Sequence, residues 1–186
     1  MSQNASITIN GHKKTLAAAQ PLAVFCDLDI LKSAPIELTK AGIGDAMCFY
    51  SCWFDWYLSH LVLDTAFDLR PFEILQAKMA DFVAHYHSFS LQDDVLLERL
   101  IDILLLSGEG MTMVGGSYPA SQSEHLIAHV LTMKYPHIAQ DILHGRQIAV
   151  TSLTSASMQE ALLKAEHAPQ ICHKMLLLQL MVIKRH

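Results

Sequence analysis

The chain has little charge and no long apolar run. Only 17% of its 186 residues are charged, and the formal net charge is −5. Lys13–Lys14 and Lys184–Arg185 are isolated basic pairs, so there is no basic stripe for a nucleic-acid partner. No run approaches the roughly 18 apolar residues a membrane span needs. The most apolar stretch, "MLLLQLMVI" at 175–183, is short and interrupted by Gln179. The first residues, "MSQNASITIN", have neither the basic start nor the apolar core of a signal peptide. A cytoplasmic protein is expected, with no membrane and no nucleic acid among its partners.

Several reaction signatures are missing too. The cysteines, Cys26, Cys48, Cys52 and Cys172, form no C-x-x-C pair, which removes a thioredoxin-type site and a zinc ribbon. Cys48 and Cys52 read as buried reduced thiols. No serine sits in a G-x-S-x-G setting, and Leu126 follows His125 where the zinc proteases need glutamate. The glycines of 107–117, "SGEGMTMVGGS", lack the G-x-G-x-x-G order and read as a place where helices approach closely.

What is present is apolar and helical. The hydrophobic fraction is 52%, which predicts a large core or an apolar interface. "SITIN", a glycine and "KKTL" predict a hairpin, and Ala23 to Cys26 a short strand. From Ala34 onward the pattern predicts helices. One runs from Asp45 to about Leu63, after an "AGIGD" interruption. Another runs from Pro71 to about His87. A third, capped by Ser90 with Asp93, runs to Leu106. Ser121 and Glu124 read as a capping box for a helix to Lys134, which Pro136 closes. His144–Gly145 opens a helix reaching His167, and Pro169 opens a last one.

Three breaks between these helices carry possible ligands. Asp45 follows a glycine turn, at or just inside a helix start. His125 and His129 are four apart and share a helix face. His144 precedes a glycine at another helix start. Taken singly, Asp45 reads as an N-cap, and the histidines as ordinary members of an eleven-histidine chain. Taken together, one aspartate and two histidines make a zinc or ferrous set with a position open for substrate. His85 and His87 point to different faces and read as surface residues. Trp53, Trp56, Tyr57 and His60 read as core.

Three segments, "AGIGDAMCFYSCWFDWYLSH", "GGSYPASQSEHLIAHVL" and "HGRQIAVTSLT", resemble in order and character the metal-binding half of the iron-containing alcohol dehydrogenase and dehydroquinate synthase-like superfamily. The sn-glycerol-1-phosphate dehydrogenase group is the nearest match. "NASITIN…PLAVFCDLDILKSAP" resembles that group's interdomain linker, and the likeness covers roughly residues 3 to 160. The resemblance implies a mainly α, bundle-like C-terminal domain of a dehydroquinate synthase-like fold. A short β-rich linker would occupy 1–33 and the helical metal-binding domain 34–186. It implies metal ligation by Asp45, His125 and His144, with His129 as a catalytic residue beside substrate or nicotinamide.

The implied chemistry is hydride transfer between NAD(P) and a polyol phosphate or ketone, with Zn2+, or Fe2+ or Ni2+, polarising the oxygen. The resemblance also implies that the family's nucleotide-binding domain is absent here. NAD(P) would then enter only through a nucleotide-binding partner, and the expected assembly is a homo-oligomer or a pairing with such a subunit. The alternative is a non-catalytic remnant or interaction module docking another subunit. A metal-dependent hydrolase or lyase using the same trio ranks behind both, for want of an evident general base. The chain departs from the family in having Phe49 where a lysine is frequent, Tyr118 where an arginine precedes P-A-S, and Arg146 where an acid follows H-G.

Overall fold

The computed structural model describes residues 4–165 apart from 11 and 140. The helix expected from Pro169, the apolar end at 175–183, the hairpin glycine and Cys172 lie outside the described residues. Strands β1 (Asn4–Ile9) and β2 (His12–Ala17) pair antiparallel, Asn4 opposite Ala17 and Ile9 opposite His12. The rest is helical: α1 (Leu28–Ser33), α2 (Ile36–Ala46), α3 (Cys48–Leu63), α4 (Arg70–His85), α5 (Asp94–Val114), α6 (Ser123–Lys134), α7 (Pro136–Ala139) and α8 (His144–Lys164). The expected mainly α architecture behind an N-terminal hairpin is the one observed. Among the described residues, no helix is long and apolar enough to cross a membrane.

Four local readings need correction. Ala23 to Cys26 is irregular, with Val24 and Phe25 exposed. Among the described residues no neighbouring strand offers a ladder there, and an apolar run without one does not become a strand. The chain instead forms α1, capped by Asp27 Oδ1, which accepts from the backbone N–H groups of Asp29 and Ile30. Asp93, not Ser90, is the N-cap of α5, accepting from Val95 N at 2.9 Å. Helix α5 does not stop at Leu106. It runs on through Gly108 and Gly110 to Val114 and ends at Gly115, φ +65°. There Gly116 N bonds Met111 O and Gly115 N bonds Thr112 O, the paired closure that a left-handed residue permits. Finally, α2 passes unbroken through Gly42 and Gly44, so Asp45 stands at the end of a helix rather than at the start of one.

The glycines that look like breaks are contact points. A Cβ on Gly110 would lie 2.9 Å from Pro71 Cβ, so α5 and the start of α4 meet there. A Cβ on Gly44 would lie 2.3 Å from Gly145 O, and one on Gly145 only 1.9 Å from Ala41 O. Helices α2 and α8 therefore touch backbone to backbone, a distance only glycine allows. One core cluster joins α2, α4 and α5 through Ala46, Met79, Phe82, Leu96 and Ile103. A second joins α3, α4, α6 and α8 through Cys52, Trp56, Phe72, Ala128 and Ile148.

Candidate metal centre

The α2–α8 contact has a direct consequence for the polar residues beside it. Asp45 follows Gly44 and His144 precedes Gly145. Closing the two helices onto each other carries both side chains to one place. His144 Nε2 lies 4.0 Å from Asp45 Oδ1. Helix α6 packs on α8 and delivers His125 from its first turn, with Nε2 3.6 Å from the same oxygen. One ligand atom from each of Asp45, His125 and His144 lies within 4.8 Å of the others. The sequence placed these three on separate helix ends, and the fold brings them together.

His129, one turn after His125, flanks the trio. Its ring centroid is 5.9 Å from that of His144 and 6.2 Å from that of His125. The expected surface residues His85 and His87 are exposed. Trp56 and Tyr57 are core, as expected, whereas Trp53 and His60, expected there too, are only half-buried at its edge. Phe49 packs on Phe72 at 5.8 Å, and Tyr118 stacks on Trp56 at 5.3 Å, so both non-basic positions belong to aromatic packing.

The residues fit a divalent cation. Two imidazoles and a carboxylate form a borderline nitrogen–oxygen donor set suited to zinc or ferrous iron. Asp45 Oδ1 is buried and has no hydrogen-bond partner. A buried acceptor left so costs about 1–3 kcal/mol, and a cation would satisfy it. Without metal, a proton supplies the positive charge. Burial pushes His125 down, but Asp45 and Glu124 on either side outweigh it and raise its pKa to about 9.

The first turn of α6 is not capped as its sequence suggests. Ser121 lies outside it; Gln122 is the N-cap and makes no side-chain cap bond. Asp55 of α3 does that work from a distance, its Oδ2 accepting from Ser123 N at 3.1 Å. Glu124 accepts from Gln122 N at 2.8 Å, which is half of the expected box, shifted by one residue. Glu124 is also fully buried and bonds His125 Nδ1 at 2.9 Å. Sequence reasoning read it only as a cap; the signal available was its position directly before a candidate ligand.

Cys48 and Cys52 form a second close group with Glu124. Both are buried and unpaired. Cys52 donates to Glu124 Oε1 at 3.3 Å and Cys48 to Ala120 O at 3.4 Å. Burial pushes the Cys52 thiol well above its ordinary range. It is a protonated donor that supports Glu124, in keeping with the expected buried thiols.

The described residues form a mainly α-helical domain behind a short hairpin. The chain's sequence relatives are glycerol-1-phosphate dehydrogenases whose names give NAD(P)+ as cofactor. The protein of Geobacillus thermodenitrificans (strain NG80-2) is 31% identical over 152 residues, 81% of this chain and 38% of the relative. That of Thermococcus sibiricus is 33% identical over 157 residues, 83% and 43% of the two chains. That of Bacillus subtilis is 30% identical over 153 residues, 82% and 39%. The chain thus spans about two fifths of the length of the curated relatives it matches. No family model matches it.

Proposed function

We propose that the chain is the metal-holding half of an NAD(P)-dependent dehydrogenase of the glycerol-phosphate type. The observation that carries this reading is the convergence of Asp45, His125 and His144 around one buried carboxylate oxygen that makes no hydrogen bond. These three would hold Zn2+, or Fe2+ or Ni2+. When bound, such an ion supplies Lewis-acid stabilisation of charge developing on the oxygen of a ketone or polyol phosphate. Asp45 orients that face of the site from the end of α2. His125 gives up its proton as the site loads, because a ligating imidazole must be neutral. His129, whose ring lies beside the trio, would hold or move a proton on the substrate hydroxyl. In this reading 1–33 are the linker and 34–186 the metal-binding domain.

The single sheet among the described residues is the two-stranded hairpin, and in this reading NAD(P) is held by residues outside them. A cytoplasmic setting fits the unpaired thiols of Cys48 and Cys52. Metal analysis of the purified chain tests the reading: about one equivalent of zinc, iron or nickel is expected, and none after reconstitution would sink it. Coupled to this, the chain alone should barely oxidise NAD(P)H with dihydroxyacetone phosphate. Robust turnover would refute the need for an outside nucleotide site.

A second reading is an interaction module that docks another subunit without chemistry. It draws on Leu126 of α6 and Val150 and Leu153 of α8, which are 66%, 65% and 72% exposed. Stoichiometric metal with an intact trio counts against it.

A further inference from the structure

Glu124 makes four bonds, and capping accounts for one. Its Oε1 accepts from Gln122 N at 2.8 Å, Cys52 Sγ at 3.3 Å and His125 Nδ1 at 2.9 Å, and its Oε2 from Ser51 Oγ at 2.8 Å. A carboxylate can make the cap bond while exposed to water, yet this one is 0% exposed. Carboxylates are almost never fully buried unless they are paired. Two of its donors, Ser51 and Cys52, come from α3, one helix away from the site. They fix where the carboxylate points, and it points at one nitrogen of His125.

The other nitrogen, Nε2, faces Asp45 at 3.6 Å. When a neutral imidazole donates Nδ1–H to an acceptor, its lone pair sits on Nε2. An anionic acceptor also makes that lone pair more basic. We propose that Glu124 is a positioning residue for the metal centre: anchored by Ser51 and Cys52, it fixes the tautomer and ring plane of His125 so that Nε2 is presented to the cation. The inference rests on the reading of Asp45, His125 and His144 as ligands.

The test uses the full chain and zinc alone, with affinity measured by competition against a chelator. Glu124→Gln keeps the side chain's size and removes its charge, and should weaken zinc by about 10–100-fold. A merely structural role would lower the denaturation midpoint of the metal-free protein while leaving the affinity of the folded fraction unchanged. A folded Glu124→Gln protein that binds zinc as tightly as the wild type therefore overturns the inference and leaves the ligand reading standing. A wild-type chain that binds no zinc overturns both. Imidazole nitrogen NMR of the zinc-loaded wild type needs no variant to fold. Protonated Nδ1 with metal on Nε2 of His125 is the expected pattern, and the reverse assignment overturns the inference.

Discussion

His125 and His144 approach the same oxygen of Asp45, but they are held there in opposite ways. The His125 side chain is 10% exposed, with a carboxylate on each side. The His144 side chain is 42% exposed and is placed by the backbone next to it. The His125 ring is hydrogen-bonded by Glu124, and the His144 backbone sits beside the closest approach of two helices. The first arrangement should fail gradually as bonds are removed. The second should fail at once when the contact is blocked.

The largest effect is therefore expected at Gly145. Gly145→Ala puts a Cβ 1.9 Å from the Ala41 carbonyl oxygen, on backbone that cannot step aside. Helices α2 and α8 must part, at a cost of about 3 kcal/mol or more, visible as a lowered denaturant midpoint. Zinc binding should disappear with it, and unchanged stability would refute the contact. Asp45→Asn keeps the fold and removes the charge both histidines share. It should reduce zinc affinity by about 100-fold or more, above what an outer-shell change gives. An affinity within a few-fold of wild type would remove Asp45 from the ligand set.

The hydrogen-bonded side of the comparison predicts a pH dependence. The folded pKa of His125, about 9, exceeds the ordinary value of 6.5. The native protein then holds this proton more tightly than the unfolded chain does. The resulting stabilisation is complete below about pH 6.5 and is lost as pH rises to about 9. Metal-free stability should fall across that window, and urea titrations at its two ends would measure the fall. Stability that rises instead would contradict the assignment. The smallest effect belongs to Arg146, whose guanidinium bonds Glu37 at 2.9 Å across the same α2–α8 pair. Both side chains are largely solvated, so Arg146→Ala should cost under about 1 kcal/mol. A large loss there would mean that charge, not backbone contact, joins the helices.

Much of this was legible in the sequence, because strong local signals coincide with real elements. The hairpin, the apolar α3, the proline-opened α4 and the end of α6 at Lys134 follow from alternation, helical spacing and Pro136. The glycines misled for one reason. At Gly42, Gly44, Gly108 and Gly110 the residue serves tertiary contact or simple helix continuity, and local sequence cannot separate that from a turn. Asp45 consequently reads as a helix-start residue, whereas it stands at the end of α2. The run Ala23 to Cys26 reads as a strand because apolar character does not report whether a partner strand exists. At the site, Asp45, His125, His144 and His129 were found as residues. Ser51, Asp55 and the wider role of Glu124 were not, because their partners lie on other helices: Ser51 and Glu124 are 73 residues apart, and Asp55 and Ser123 are 68 apart.

The meeting of Gly44 with Gly145 acts as a gauge block set into the protein. Side chains between packed helices compress, rotate and swap rotamers, and the gap they define drifts with them. Two peptide backbones in contact have nothing to swap. The separation of the Asp45 and His144 backbones is thus referenced to covalent geometry, while the His125 ring is held by the anchored carboxylate of Glu124. A cation held by the proposed trio would meet one jaw set by main chain and one set by hydrogen bonds.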